Sequence, residues 1–300
     1  MDCYWYPDFE DMKSQNLHPR KPESRRPRRE VIGLIPAAGK GTRLAPLPFS
    51  KELYPIGFQE VNDKGGLRSK VVCHYLLEKM HLAEITKVYI ILRQGKWDIP
   101  NYFCDGSMLK MHIAYLMMGL PFGAPFTLDQ AYAFVQDKLV AFGFPDIIFE
   151  TNNAFVRMLE CQASTNSDIV LGLLDTEKSE EVDMVDVDQD WSVRALYIKP
   201  RQTSLKLTWV VAVWTPVFTQ FMHNYIDEIR TGRPKLSVVW SENQELTMGH
   251  VIQEALVAGL KVKGVFFSED TCLDIGTINN LMKAVRHFSR KPEGLRDEDR

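Results

Sequence analysis

The sequence predicts an α/β protein whose mixed, mostly parallel sheet is flanked by helices. Strand-length apolar runs alternate with segments of helical period through the first half of the chain. The first run, Val31 to Ile35, breaks directly into a loop of small residues, Ala37-Ala38-Gly39-Lys40-Gly41-Thr42-Arg43. A strand that ends in a glycine loop suits the carboxyl edge of a parallel sheet, where open α/β folds place their sites.

The elements follow in order. Val31–Ile35 is a buried strand, Val72–Leu82 a helix, and Lys87–Leu92 and Met111–Leu116 are strands. Leu128–Val135 has helical period, Leu139–Phe144 is apolar enough for a central strand, Ala154–Ala163 is helical and Asp168–Leu174 is a strand. The second half predicts strands at Val182–Val187, Ser192–Lys199, Thr208–Trp214 and Lys261–Phe267, with helices at Val217–Ile229, Thr247–Ala258 and Thr277–Phe288. No repeat and no clean linker interrupts the chain after Glu30, so one domain over residues 31–288 is expected. Residues 1–30 form a flexible extension: an aromatic and acidic tip, then the basic, proline-punctuated HPRKPESRRPRRE, which cannot bury a core. Residues 289–300 form a charged tail.

Composition narrows the partners. A formal charge of −3 argues against nucleic acid, whose binders carry a basic excess. The 5 cysteines are scattered without a C-x-x-C pair, which suits reduced thiols in a cytoplasmic protein rather than disulfides or a zinc site. No apolar run is long enough for a membrane span. His74 and His81 lie on one predicted helix without a third ligand nearby, so metal binding there is not expected.

The glycine loop carries the chemistry. Gly39 and Gly41 permit positive φ and leave no Cβ in the way, so successive N–H groups can converge on phosphate oxygens, with Arg43 and Lys51 supplying cations downstream. The P-loop pattern fails, because Gly41 follows Lys40 and Leu34 stands at the first glycine. The dinucleotide pattern fails because Leu44 stands at its third glycine. The run Gly39-x-Gly41-Thr42-Arg43-Leu44-x-Pro46, followed by Lys51 and Leu53-Tyr54-Pro55, resembles the signature of the sugar-1-phosphate nucleotidylyltransferases of the glucose-1-phosphate thymidylyltransferase type. The spacing from Arg43 to Lys51 is about two residues shorter than in that pattern.

That resemblance covers about Val31 to His287 and implies a Rossmann-like nucleotidyltransferase fold, here without the C-terminal β-helix that many relatives carry. It implies attack of a sugar-1-phosphate oxygen on the α-phosphate of an NTP, with Mg²⁺ as cofactor. Ala38, Gly39, Gly41, Thr42 and Arg43 would bind the nucleotide, and Arg43, Lys51 and Lys199 would be catalytic. Lys199-Pro200 matches the family's E-K-P segment, with Ile198 in place of the glutamate that grips sugar hydroxyls. Asp274, in Leu273-Asp274-Ile275-Gly276-Thr277, and Asp146, after Gly143-Phe144-Pro145, would hold the metal. Gln130, in Thr127-Leu128-Asp129-Gln130-Ala131, lines up with the base-reading segment, and Pro121–Pro125 is the expected loop under the base.

At the acceptor end, Val182-Asp183-Met184-Val185 replaces a Tyr-Gly pair. Together, Ile198 and Met184 suggest substrate contacts turned apolar, and hence relaxed or redirected acceptor choice. The resulting expectation is a cytoplasmic, Mg²⁺-dependent enzyme that joins dTTP, UTP or CTP to a phosphorylated small molecule, with a homo-oligomer as its candidate assembly. Two alternatives stand beside it: a non-catalytic nucleotide or sugar-nucleotide binding regulator, and a cytidylyltransferase acting on a non-sugar phosphate or phosphonate.

Overall fold

The computed structural model describes residues 29–60, 67–118, 122–232, 245–268 and 273–288. The expected extension up to residue 28, the expected tail from residue 289 and Pro121 of the base loop lie outside the described residues.

The chain runs β1 (Val31–Pro36), β2 (Pro55–Glu60), β3 (Leu67–Val71), α1 (Val72–Leu82), β4 (Lys87–Arg93), α2 (Asp98–Phe103), β5 (His112–Met118), α3 (Ala124–Asp129), α4 (Tyr132–Val135), β6 (Leu139–Gly143), β7 (Ile147–Ile148) and α5 (Ala154–Thr165). It continues β8 (Ile169–Asp175), β9 (Met184–Val187), β10 (Val193–Tyr197), β11 (Leu207–Trp214), α6 (Pro216–Arg230), α7 (Met248–Val257), β12 (Val262–Phe266), β13 (Leu273–Asp274) and α8 (Ile278–Phe288).

A 9-stranded sheet carries the core, with β1 at its centre between β4 and β6, all parallel. β11 is the hinge of the topology. One edge pairs antiparallel with β8 along its whole length, while the other is shared between β6 at Val211–Trp214 and β9 at Leu207–Thr208. All the strands of this sheet run one way except β10 and β11. The carboxyl ends of β1, β6 and β8 therefore open on the same side as the amino end of β11.

Burial on both faces follows from the period of two. From β1, Ile32 and Leu34 enter the core under α3, α6 and α7, while Ile35 enters the core under α1, α2 and α5. β6 does the same with Val140 and Phe142 against Ala141, and β11 with Ala212 and Trp214 against Val211 and Val213. On α1, Val72, Cys73, Leu76, Leu77 and Met80 are buried at helical spacing. His74 is fully buried on the same helix, with its ring 5.3 Å from Phe103 and 5.6 Å from Tyr102, an aromatic core position.

Three features go beyond the sequence expectation. The segment expected as one helix at Leu128–Val135 is two: Pro125 starts α3 early, and the N–H groups of Gln130 and Ala131 turn back to the carbonyls of Thr127 and Leu128 three residues before them, breaking the helix. The hairpin β2–β3 packs against α8 around Ile56, Val72, Ile148, Ile275 and Ala284. Finally, the two-residue strands β7 and β13 pair antiparallel, Asp274 opposite Ile147. Among the described residues no β-helix is present, and no helix is long and apolar enough to cross a membrane.

Candidate functional site

A cleft of about 1360 Å³ opens at the carboxyl ends of β1 and β6, beside the amino ends of β9 and β11. At one end stands the glycine loop. The Ala37 N–H donates to the Ile91 carbonyl at 2.8 Å, which holds the loop's start to β4. Gly41 then takes φ 66°, a left-handed conformation that favours glycine, and caps the short turn Thr42–Leu44. Ala38, Gly39, Lys40, Gly41, Thr42 and Arg43 all face the cleft.

Lys51 enters from a second short turn, Lys51–Leu53, fixed on both sides. The Ser50 hydroxyl donates to Asp98 at 2.7 Å, and Lys96 donates to Glu52 at 2.6 Å in a pair almost wholly buried. Burial pushes the Glu52 carboxyl up and the Lys96 ammonium down, so the pair is drawn towards neutrality. Lys51 itself donates to Asp146. Burial works to lower the Lys51 ammonium, but Asp146, with Glu52 and Asp274, outweighs it and holds the group above the ordinary lysine value.

The β7–β13 pairing brings together two carboxylates distant in sequence. Asp146 immediately precedes β7, Asp274 ends β13, and the Ile275 N–H donates to the Asp146 carbonyl at 3.0 Å. The Gly276 N–H holds one Asp274 oxygen at 2.7 Å, and Arg43 lies 4.0 Å from the other. Burial first, and then the charge of Asp146, pushes the Asp274 carboxyl up. Among the described residues no set of three or more His, Cys, Asp or Glu side chains is grouped to hold a metal. These two carboxylates are the available anionic pair, suited to a hard cation that takes its other ligands from phosphate and water.

The far end of the cleft has a different character. Lys199 sits at φ 43°, left-handed, immediately before Pro200, although a residue preceding proline ordinarily stays extended. Such a conformation costs of order 1–3 kcal/mol. Asp183, Thr208, Trp209 and Met248 complete the wall around Lys199. Asp183 has one carboxylate oxygen, Oδ1, buried without a hydrogen-bond partner. Burial pushes its carboxyl up to about 6, against the pull of the Lys199 charge and of hydrogen bonds from the Trp209 side chain and the Lys199 backbone N–H.

Most of the residues singled out by sequence therefore share this one cleft: Ala38, Gly39, Gly41, Thr42, Arg43, Lys51, Gln130, Asp146, Lys199 and Asp274. The two apolar acceptor contacts are corrected. Met184 is fully buried in β9, as is its neighbour Val185, and Ile198 packs its Cδ1 against Gly249 rather than joining the cleft wall. Asp129 is also turned away from the base loop, buried 2.8 Å from His223 and 3.6 Å from Arg230. The sequence reading missed Asp183, the Glu52–Lys96 pair and Asp98. Only Glu52, beside Lys51 in the motif, carried any local signal.

The fold has counterparts. The family described as nucleotidyl transferase matches residues 32–291. The chain is 25% identical over 231 residues, 76% of its length, to the low-salt glycan biosynthesis nucleotidyltransferase Agl11 of Haloferax volcanii, covering 60% of that protein. It is 24% identical over 256 residues, 84% of its length, to a glucose-1-phosphate thymidylyltransferase of Streptomyces antibioticus, covering 65% of it. The chain thus spans somewhat under two thirds of the length of these relatives. The crystal structure of a UDP-glucose pyrophosphorylase complexed with UDP-glucose shares the fold, with a TM-score of 0.71 at 15% identity over 87% of this chain and 99% of that one. With the glycine loop, Lys51 and the paired aspartates in one cleft, and with this match over most of its length, the chain belongs to the nucleotidyl transferase family.

Proposed function

We propose that the protein is an enzyme that condenses an NTP with a sugar-1-phosphate or a related phosphorylated small molecule, giving a nucleotide-linked product and pyrophosphate. The observation that carries this is the gathering of Arg43, Lys51, Asp146, Asp274 and Lys199 around one cleft, since binding a nucleotide alone would not call for all of them. An oxygen of the acceptor phosphate forms the new bond to the α-phosphorus as the bond to the β-phosphate oxygen breaks. Both reactants are anionic, so positioning and charge stabilisation are the main catalytic means.

In this reading the loop N–H groups from Ala38 to Thr42 and the Arg43 guanidinium cradle the triphosphate, while Lys51 faces the reacting phosphates. Gln130 stands at the base. Lys199 takes the acceptor phosphate, which gives a reason for its strained backbone. Asp146 and Asp274 would hold Mg²⁺, which supplies charge neutralisation at the departing pyrophosphate. The relatives' names point to UTP or dTTP as nucleotide, with CTP open. We take residues 31–288 as one catalytic domain of a cytoplasmic protein that works on small molecules, with self-association to be measured by sedimentation.

The test is pyrophosphate release with Mg²⁺, from dTTP, UTP, CTP, GTP and ATP against a panel of sugar-1-phosphates and phosphonates. Release that needs both a nucleotide and an acceptor is expected. Silence across the matrix from folded protein that binds a nucleotide would favour a non-catalytic regulator.

A further inference from the structure

Asp183 is a charged group of the cleft, on the same wall as Lys199, that the reaction above does not use. It sits in the turn before β9, and its backbone carbonyl is fixed by the Thr208 hydroxyl at 2.9 Å. Its side chain crosses to the first turn of α7 and reaches so close to Gly249 that a Cβ there would lie 2.2 Å from Asp183 Oδ2 and 2.7 Å from Ile198 Cδ1. Only glycine leaves room for the carboxylate at this place. Gly249 leaves room for Oδ2, and the Trp209 indole N–H and the Lys199 backbone N–H reach this carboxylate from the protein side, while Oδ1 is buried with no hydrogen-bond partner. Leaving a buried acceptor unsatisfied carries a desolvation penalty, more for a charged group, and a donor arriving from the cleft would relieve it.

The chemistry of that donor can be narrowed. Lys199 lies close enough to act on the Asp183 charge, so a ligand ammonium placed here would be repelled by Lys199. An alkyl phosphate or phosphonate would bring no donor and leave Oδ1 as it is. A neutral hydroxyl satisfies both conditions. We propose that Asp183 determines acceptor specificity by accepting a hydrogen bond from a hydroxyl of a polyhydroxylated, sugar-type phosphate whose phosphate is held by Lys199. This deepens the nucleotidyl transfer reading and rests on it.

Calorimetric titration without nucleotide separates the two claims, because it reads binding and not turnover. Glucose 1-phosphate and its 2-, 3-, 4- and 6-deoxy analogues are titrated into wild type, Asp183→Asn and Asp183→Ala, with folding checked by thermal melting. The expected result is that wild type binds glucose 1-phosphate roughly 10- to 100-fold more tightly than at least one deoxy analogue, as for a hydrogen bond to a charged group. Both variants lose that preference while their affinity for UTP and dTTP is unchanged. Wild type that binds all five probes alike, or none, overturns the assignment even if either variant fails to fold. So does a variant that keeps the wild-type preference. Absence of pyrophosphate release in the separate assay would count against the enzyme reading alone.

Discussion

At the loop end of the cleft, acidic and basic groups stand within reach of one another. Lys51 pairs with Asp146, Arg43 lies 4.0 Å from Asp274, and Lys96 lies 2.6 Å from Glu52. At the far end, Asp183 keeps one buried oxygen with no partner, and Lys199 sits in a left-handed backbone before proline. The loop end is organised in advance for phosphate charge, which every NTP brings. The far end keeps an unmet need and a strained residue, as expected where an individual ligand is to be discriminated.

The largest effect should come from the loop end. Asp274→Ala and Lys51→Ala should each lower turnover by about a thousandfold or more, in the range found when a group that stabilises transition-state charge is removed, while circular dichroism and melting report a folded protein. Wild-type rates in either variant would remove the catalytic assignment. Breaking the support under Lys51 should show in stability instead. Lys96→Ala leaves the Glu52 carboxylate buried without its counter-charge and should cost about 3–5 kcal/mol in denaturant unfolding. A change under about 1 kcal/mol would mean that water or another donor replaces it.

At the far end the sign reverses. The Asp183 carboxyl stands at about 6 in the folded protein against 3.8 as its ordinary value, so its charge opposes folding above pH 6. Asp183→Asn should therefore stabilise the protein at pH 7 to 8, by roughly 1–3 kcal/mol. As pH falls through 6 the native carboxyl takes up a proton that the unfolded one does not. Wild type then gains stability relative to the variant, and the difference closes towards pH 4. A variant less stable than wild type at pH 8 would contradict the account of an uncompensated charge. The smallest effect is at Gly249→Ala, where the new Cβ pushes on the Asp183 carboxylate and Ile198. Acceptor affinity should drop roughly tenfold, about the value of one displaced hydrogen bond, with nucleotide affinity unchanged.

How much of this could be seen in the sequence depends on distance along the chain. The strands and helices followed from period, and α1 matched its expected limits, Val72–Leu82, because its apolar residues repeat at helical spacing and Leu82 is followed by a turn. The glycine loop and Lys51 were legible because one short segment holds them. The meeting of Asp146 with Asp274 was suggested only by resemblance, since the β7–β13 pairing that joins them spans two residues per strand and has no periodicity to detect. The acceptor end was misjudged at Met184 by one residue. Asp183 stands just before β9 and lines the cleft, whereas Met184, the first residue of the strand, is fully buried beside Val185. The break between α3 and α4 was hidden by an unbroken helical pattern through Gln130.

Division of labour between the two ends is most directly tested by titrating UTP, dTTP and glucose 1-phosphate separately into wild type, Arg43→Ala and Asp183→Asn. The account predicts that Arg43→Ala weakens the nucleotides and leaves glucose 1-phosphate bound as in wild type, and that Asp183→Asn does the reverse. Nucleotide affinity that falls with Asp183→Asn, or acceptor affinity that falls only with Arg43→Ala, would contradict it.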